Sequence, residues 1–335
     1  MQTRTLGSTG PRTSQLGLGL MGMSDLYGPA DRAESLATIH AALDAGISLL
    51  DTGDFYGMGH NEMLLGEALR GRPREQVQIS VKFGALRDAD GNWLGYDARP
   101  PAVANFAAYS LRRLGTDYLD IYRPARVDPA VPIEETVGAI VNLVRKGHVR
   151  HIGLSEVSGD TLRRAHLVHP ISDVQIEYSM ISRGIESGLL QTARELGVGI
   201  TAYGVRSRGL ISGHWSAQRA GEQDFRGLHS PRFQGENLTH NLALVERMRA
   251  IAQAKGISMA QLAIAWVLAQ GLDIVPLVGA RTRQRLQEAL GANAVTLLPA
   301  DLAALDAIAP PSAAAGGRYN DYQLSHLDSE RHAAA

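Results

Sequence analysis

The sequence predicts an α/β fold: a closed (β/α)8 TIM barrel with an N-terminal β-hairpin plug and a C-terminal tail over the barrel mouth. Three observations predict it. Eight short β-like apolar runs alternate with longer amphipathic stretches along the 335 residues, and such alternation implies parallel strands joined by right-handed crossovers. No Gly/Pro-rich linker divides the chain into halves, and barrels of roughly 250 residues and more form as one domain. Asp51, Lys82, Ala125, Ser155, Gln175 and Tyr203 all fall at or near strand C-terminal ends, with Tyr56 in a following loop. Barrels of this kind collect their chemistry at that face.

The elements follow in order. Thr3-Arg4-Thr5-Leu6-Gly7 and Arg12-Thr13-Ser14-Gln15 flank Ser8-Thr9-Gly10-Pro11 and read as a hairpin that plugs the barrel's N-terminal end. Strands are expected at 15–22, 48–53, 77–83, 118–125, 151–157, 173–179, 199–205 and 273–280. The amphipathic stretches between them are 32–45, 61–70, 101–114, 133–146, 159–167, 187–196 and 281–291. Residues 206–240 read as a long polar loop, a length that is usually functional or mobile. Both 240–255 and 258–270 look helical, so an extra helix precedes the eighth strand, and 299–308 forms a further short one. The chain is expected to be a single domain over 1–335, with its core at about 15–310 and a lid or tail at 311–335 whose end is disordered.

Composition narrows the function. A net charge of −1 and no basic block of five residues argue against a nucleic-acid partner. The absence of cysteine excludes disulfides, thiol catalysis and thiolate metal sites, and suits a reducing compartment. Met1-Gln2-Thr3-Arg4-Thr5 lacks the apolar stretch of a secretory signal, and no apolar run reaches the length of a membrane span. A cytoplasmic protein without a membrane partner is expected; oligomeric state is not legible. His166 and His169 precede Pro170 without a carboxylate nearby, and His148 and His151 flank a strand entry. Zinc needs three or four ligands within tetrahedral reach, so no metal is expected. Gly153-Leu154-Ser155-Glu156-Val157 lacks the second glycine of a serine-hydrolase elbow. Gly17-Leu18-Gly19-Leu20-Met21-Gly22 matches the G-x-G-x-x-G spacing, but its glycines lie inside the strand and a loop follows. Small residues at a tight barrel position explain it better, with Gly22 and Met23 available to line a cofactor cavity.

Asp51, Tyr56 and Lys82 carry the strongest chemical signal. A free tyrosine titrates near 10, roughly three units too high for an efficient acid at neutrality. An ammonium beside it favours the phenolate and lowers that value, and a buried carboxylate holds the ammonium in place. A strand end and a glycine-rich loop, with Asp54 and Asn61 capping the next helix, would explain the glycines. They would not explain Asp51 and Tyr56 occurring with Lys82 at the next strand end.

Two further segments point to a dinucleotide. The face of Tyr203 can stack on a nicotinamide ring, and the Gly204–Leu210 loop can lend backbone N–H groups to a pyrophosphate. After the eighth strand, Gly279-Ala280-Arg281-Thr282-Arg283-Gln284-Arg285 places three arginines at a helix start, against the macrodipole. A phosphate at that N-terminus reconciles them. Arg281 and Arg285, four apart on one helix face, can clamp a 2′-phosphate while Arg283 points away, which favours NADPH over NADH.

The run Asp51-Thr52-Gly53-Asp54-Phe55-Tyr56-Gly57-Met58-Gly59-His60-Asn61-Glu62, with Lys82, resembles the aldo-keto reductases, and the resemblance extends from near the start to about residue 325. The branch it resembles is related to the potassium-channel β-subunit-like reductases. The resemblance implies a (β/α)8 barrel that binds NADP(H) across its strand C-termini and reduces aldehyde or ketone carbonyls. It implies that Tyr56 is the general acid, tuned by Lys82 and Asp51. It gives Ser155 and Gln175 to the carboxamide, Tyr203 to ring stacking, and Gly204, Val205, Arg206, Ser207, Gly209 and Leu210 to the pyrophosphate. Arg281, Arg285 and Glu288 go to the adenosine end, with Ala289 where the family often has Asn, and Gly279 is a further cofactor-binding residue. The chain departs from the family in Ile121-Tyr122-Arg123-Pro124-Ala125-Arg126-Val127-Asp128-Pro129: Ala125 stands where the family has a catalytic His. One lost oriented donor can cost about two to three orders of magnitude in rate. Slower reduction through Tyr56, compensation by another donor or a water, and a wider pocket are the open outcomes. A nucleotide-binding regulatory subunit and an enone reductase are the rival functions.

Overall fold

Eight parallel strands close into a barrel in sequence order: Gly17–Gly19, Leu49–Gly53, Gln78–Phe83, Leu119–Pro124, Val149–Ser155, Asp173–Glu177, Gly199–Tyr203 and Ile274–Gly279. The eighth returns to the first through Leu277↔Gly17 and Gly279↔Gly19. The architecture is that of a computed structural model, which describes residues 1–24, 27–215 and 225–330. All eight strands lie where the apolar runs put them, because strands of a closed parallel barrel are buried on both faces and read as short Leu/Ile/Val runs. Outward side chains such as Leu18, Leu50, Ile79, Ile152, Val174 and Ile200 pack on the surrounding helices.

The interior is layered. At the bottom, Leu6 of the hairpin Thr3–Thr5/Arg12–Ser14 packs with Leu49, Ile121, Val275 and Leu277, so the plug contributes to the core. Gly7 makes this closure possible. It sits at φ +64°, and a Cβ there would lie 2.5 Å from the Gly197 carbonyl oxygen. Above it Arg123 and Asp173, both fully buried, pair at 3.0 Å. The top layer is polar and belongs to the site.

Helices fill the intervals as their periodicity suggests, and several caps are built from local sequence. Asp31 accepts from Glu34 N ahead of Arg32–Asp44, and Ser158 from Thr161 N ahead of Gly159–Val168. Ser258 and Gln261 form a capping box ahead of Met259–Ala269. The helix His60–Ala68 is an exception: Gly59 is its N-cap, without a side-chain bond. Asn61 instead receives the Thr52 hydroxyl at 2.6 Å and donates to Leu20 O and Ser24 Oγ, while Asp54 Oδ2 accepts from Gly84 N.

Two regions differ from expectation. A two-stranded hairpin, Ala85–Arg87 with Trp93–Tyr96, follows the third barrel strand. Its turn is organised by Asp88, whose Oδ1 accepts from the backbone N–H groups of Asp90 and Asn92. Within 206–240 the chain forms a 3-10 turn at Ser207–Ser212, a short helix at Phe225–His229, a turn at Pro231–Phe233 and the start of the helix Gly235–Ala254. That last helix begins five residues early because Leu238 and Asn241 are buried on it. The middle of that interval, 216–224, lies outside the described residues, as does the expected disordered end at 331–335. The tail crosses the mouth, with Asn320 capping the short helix Asp321–Ser325. No single helix among the described residues is long and apolar enough to cross a membrane.

Candidate active site

A cavity of about 810 Å³ opens at the strand C-terminal ends. Asp51 is at its floor, and both its oxygens are committed. Oδ1 receives Lys82 Nζ at 2.5 Å; Oδ2 receives Gln175 Nε2 at 2.7 Å and Ser80 Oγ at 2.9 Å. Strand register makes this set: Asp51 pairs with Ser80 and Gly53 with Lys82 across the second and third strands. Arg123 Nη2 donates to Ser80 Oγ at 3.0 Å, which ties the site to the buried ion pair below.

Tyr56 projects from the loop after the second strand. Gly57, Met58 and Gly59 all have positive φ there, a sharp reversal that two of the three meet as glycines. The Tyr56 ring stands edge-on to Phe55 at 4.7 Å, and Lys82 Nζ is 5.1 Å from its centroid. Burial, and then Asp51, push the phenol well above its ordinary value; Arg126 pulls the other way. The expected lowering by Lys82 is therefore not what this site displays. Lys82 is itself pushed down by burial, against the opposing pull of Asp51.

Ala125 is buried outside the cavity lining, with its N–H on Phe83 O. The neighbouring Arg126 lines the cavity instead. Sequence reasoning passed over it, although its place directly after a strand C-terminal end was signal enough. The hairpin residues Arg87, Trp93 and Tyr96 and the tail residues Tyr319, Tyr322 and His326 also line the cavity.

Ser155, Gln175, Tyr203, Gly204, Val205, Arg206, Gly209, Gly279, Arg281 and Arg285 line it as expected, together with Gly22. Ser155 Oγ is buried without a hydrogen-bond partner among the described residues. Tyr203 Oη donates to Glu156 Oε1 at 2.6 Å and lies 3.0 Å from Tyr319 Oη.

Four residues are placed differently. Met23 is in the hydrophobic core, and Met21 faces the cavity in its stead, because a 3-10 turn replaces continued strand at 21–23. Ser207, at φ +45°, turns its hydroxyl to Ser179 Oγ at 2.9 Å, and Leu210 packs into the core. Glu288 stands behind the wall and braces it, accepting from Arg285 at 3.1 Å and lying 3.0 Å from His214 Nε2. The helix itself is Arg283–Leu290 with Thr282 as N-cap, so Arg281 precedes it rather than sharing a face with Arg285. Arg281 Nη1 donates to Tyr27 O at 2.6 Å. Arg283 does point away, onto Glu34 at 2.9 Å.

The tail is pinned from below. Arg318 donates to both oxygens of Glu156, at 2.9 and 2.5 Å, and to Glu330 at 2.7 Å. Burial alone would raise Glu156, but Arg318 and its neighbours bring it down to about 2.

These residues fit a nicotinamide dinucleotide. Seven arginines and Lys82 face the cavity, and Asp51 is the lone carboxylate among its described lining residues, a field suited to phosphates. Ser155 Oγ offers an uncommitted polar atom for an amide. An added Cβ at Gly279 would meet nothing nearer than 4.0 Å, so the bare backbone there admits close approach. Among the described residues no three His, Asp or Glu side chains could hold a metal ion.

A model described as the aldo/keto reductase family matches residues 15–310. A probable aldo-keto reductase of Glycine max is 41% identical over 320 residues, covering 95% of this chain and 92% of the relative. Among solved structures, a glycerol dehydrogenase of Gluconobacter oxydans superposes with a TM-score of 0.84 at 27% identity, over 99% of this chain and 98% of that one. The holo form of an aldo-keto reductase from Bacillus halodurans gives 0.76 at 25% identity, over 93% and 97% of the two chains.

Proposed function

The chain belongs to the aldo/keto reductase family, the oxidoreductases of carbonyl compounds, and from that premise we propose that it reduces aldehydes or ketones to alcohols with NADPH, using Tyr56 as general acid. One observation carries the reading: the Tyr56 phenol, the Asp51–Lys82 pair and the Ser155 hydroxyl converge on one cavity from three separate segments.

Ser155 would hold the carboxamide, Tyr203 would lie against the ring, and Gly204, Val205, Arg206 and Gly209 would approach the pyrophosphate. Arg285, from the first turn of its helix, and Arg281 would take a 2′-phosphate. When bound, the reduced dinucleotide supplies a hydride to the carbonyl carbon and is itself oxidised. Tyr56 stays protonated near neutrality, because burial and Asp51 raise it. It transfers its Oη proton to the carbonyl oxygen as negative charge develops there. Lys82, held by Asp51, lies beside the ring and stabilises the phenolate left behind. Oxidation of a secondary alcohol runs the same proton transfer in reverse.

Purified protein should consume NADPH with small aldehydes or quinones, and Tyr56→Phe should abolish this while keeping NADPH binding. Full activity in that variant refutes the assigned acid. Ala125, which can neither donate nor relay a proton, favours a second reading, a nucleotide-binding subunit with weak turnover. Tight NADPH binding with no reduction of any carbonyl would establish that reading. With an enone, the product distinguishes 1,2- from 1,4-reduction.

A further inference from the structure

Building on the reductase reading, we infer that Arg126 is a substrate anchor and that the site takes aromatic carbonyl compounds bearing a carboxylate. Arg126 follows the C-terminal end of the fourth strand, lines the same cavity as Tyr56 and Lys82, and its charge bears on both. Its side-chain hydrogen bond is local, from Nη1 to the Ala125 carbonyl oxygen at 2.6 Å. Among the described residues it forms no ion pair. Lys82 is paired with Asp51, Arg318 with Glu156 and Arg285 with Glu288, and Arg206, which also has no ion pair among the described residues, donates to the Gly279 carbonyl oxygen on the opposite, eighth-strand side of the mouth. Glu156, the carboxylate acting on Arg126, already accepts from Arg318, Tyr203 and Ser329. Arg126 is half-buried, and a guanidinium partly withdrawn from water is stabilised when an anion and hydrogen bonds compensate it. A carboxylate on the substrate meets that demand through a planar two-point contact.

The surroundings select the rest of the molecule. Phe55, Trp93 and Tyr96 wall the same end, so the carbon skeleton is met by aromatic faces. Ala125 places only a methyl group on the strand end beside Arg126. Ala125 itself is buried outside the lining, so the polar group that the fourth strand's end presents to the cavity is the positive charge of Arg126.

The test compares 3- and 4-carboxybenzaldehyde with their neutral carboxamide isosteres and with benzaldehyde. Wild type should favour the acids in kcat/KM by about ten- to a hundredfold, the range of a charge-assisted bond, and mainly through KM. Arg126→Gln should bring the acid-to-amide ratio close to one, and Arg126→Lys should keep part of it. Thermal unfolding checks that both variants fold. Binding of isophthalate to the NADP⁺-loaded protein, followed by calorimetry, reads the anchor without turnover and should vanish in Arg126→Gln. Equal use of acid and amide by wild type, or an acid preference that survives in Arg126→Gln, overturns the inference. Isophthalate binding that depends on Arg126, without reduction of any aldehyde, would uphold the anchor and refute the reductase reading. Reduction of benzaldehyde without acid preference would do the opposite.

Discussion

Replacing Asp51 with asparagine removes one charge of a buried pair and leaves the shape nearly unchanged. Lys82 Nζ and Asp51 Oδ1 are 2.5 Å apart, and each side chain is 5% exposed. At an effective dielectric of about 20 such charges attract by roughly 6 to 7 kcal/mol. Desolvation offsets part of that. Breaking a buried pair by removing one partner costs about 3–5 kcal/mol, because the remaining charge is stranded. The asparagine can still accept from Ser80, so the loss is mainly electrostatic. Lys82 is already lowered by burial, and Asp51 is its main opposing influence. Without Asp51 its folded value falls further below the unfolded one. The folded state then binds fewer protons than the unfolded state, and stability rises with pH through the interval between the two values. Urea unfolding should therefore show a deficit of about 3–5 kcal/mol at neutral pH that shrinks as pH climbs toward the ordinary lysine range. Asp51→Asn with Lys82→Met should be more stable than Asp51→Asn alone, since the stranded ammonium is gone. A single variant within about 1 kcal/mol of wild type at neutral pH, or a double variant no better than the single, refutes the reasoning.

Arg281→Ala with Arg285→Ala should raise KM for NADPH about ten- to a hundredfold and KM for NADH far less; equal effects in steady-state kinetics show that the clamp is misassigned. Arg318→Met strands the Glu156 carboxylate and should free the tail, read as faster limited proteolysis after residue 311; an unchanged cleavage rate argues that other contacts hold the tail. Asp54 is raised to about 8, by burial first and by Glu62 second. Its protonated form confers stability that is complete below the unfolded carboxyl value and is lost as pH rises through about 8. Asp54→Asn should flatten that decline and be the more stable protein at pH 8 by a few kcal/mol; parallel stability curves would contradict the burial argument.

The barrel was legible because burial on both faces leaves a local mark. Apolar runs such as Leu16–Leu20 and Ile274–Val278 need no long-range information. Tyr56 was legible for a different reason, since its glycines and its flanking strand ends sit within a few residues of each other. The misplaced residues share the opposite property. Whether Met21 or Met23 faces the cavity depends on a 3-10 turn that rotates the chain between them, and composition carries no trace of that rotation. Ser207 and Leu210 fall in another such turn, at Ser207–Ser212, with positive φ inside it. Arg281 looked helical by spacing, but Thr282 caps the helix and excludes it. The 85–96 hairpin could have been found from Asp90-Gly91 and its Asp88 neighbour, a turn signal overshadowed by the weak apolar pattern on either side.

Charge at the mouth is the property least visible in one dimension. A chain of net charge −1 carries no basic block, yet folding gathers cations from the 87–96 hairpin, the fourth strand end, the 206–226 segment and the eighth strand end around one cavity. Like charges so gathered repel one another, and the fold must hold them by other means. Glu156 and Glu177, at the ends of the fifth and sixth strands, provide that hold. Glu177 lies 3.6 Å from Arg318, 3.9 Å from Arg208 and 4.0 Å from Arg232, while Glu156 takes Arg318 on both oxygens. Glu156 does so at φ +53°, a conformation that costs a non-glycine residue about 1 kcal/mol or more. That cost persists because the turn seats its carboxylate below Tyr203 and under the tail. The tail and the ring beside the proposed nicotinamide site thus share the Glu156 carboxylate, Glu177 holds Arg208 and Arg232, and Arg318 reaches both carboxylates.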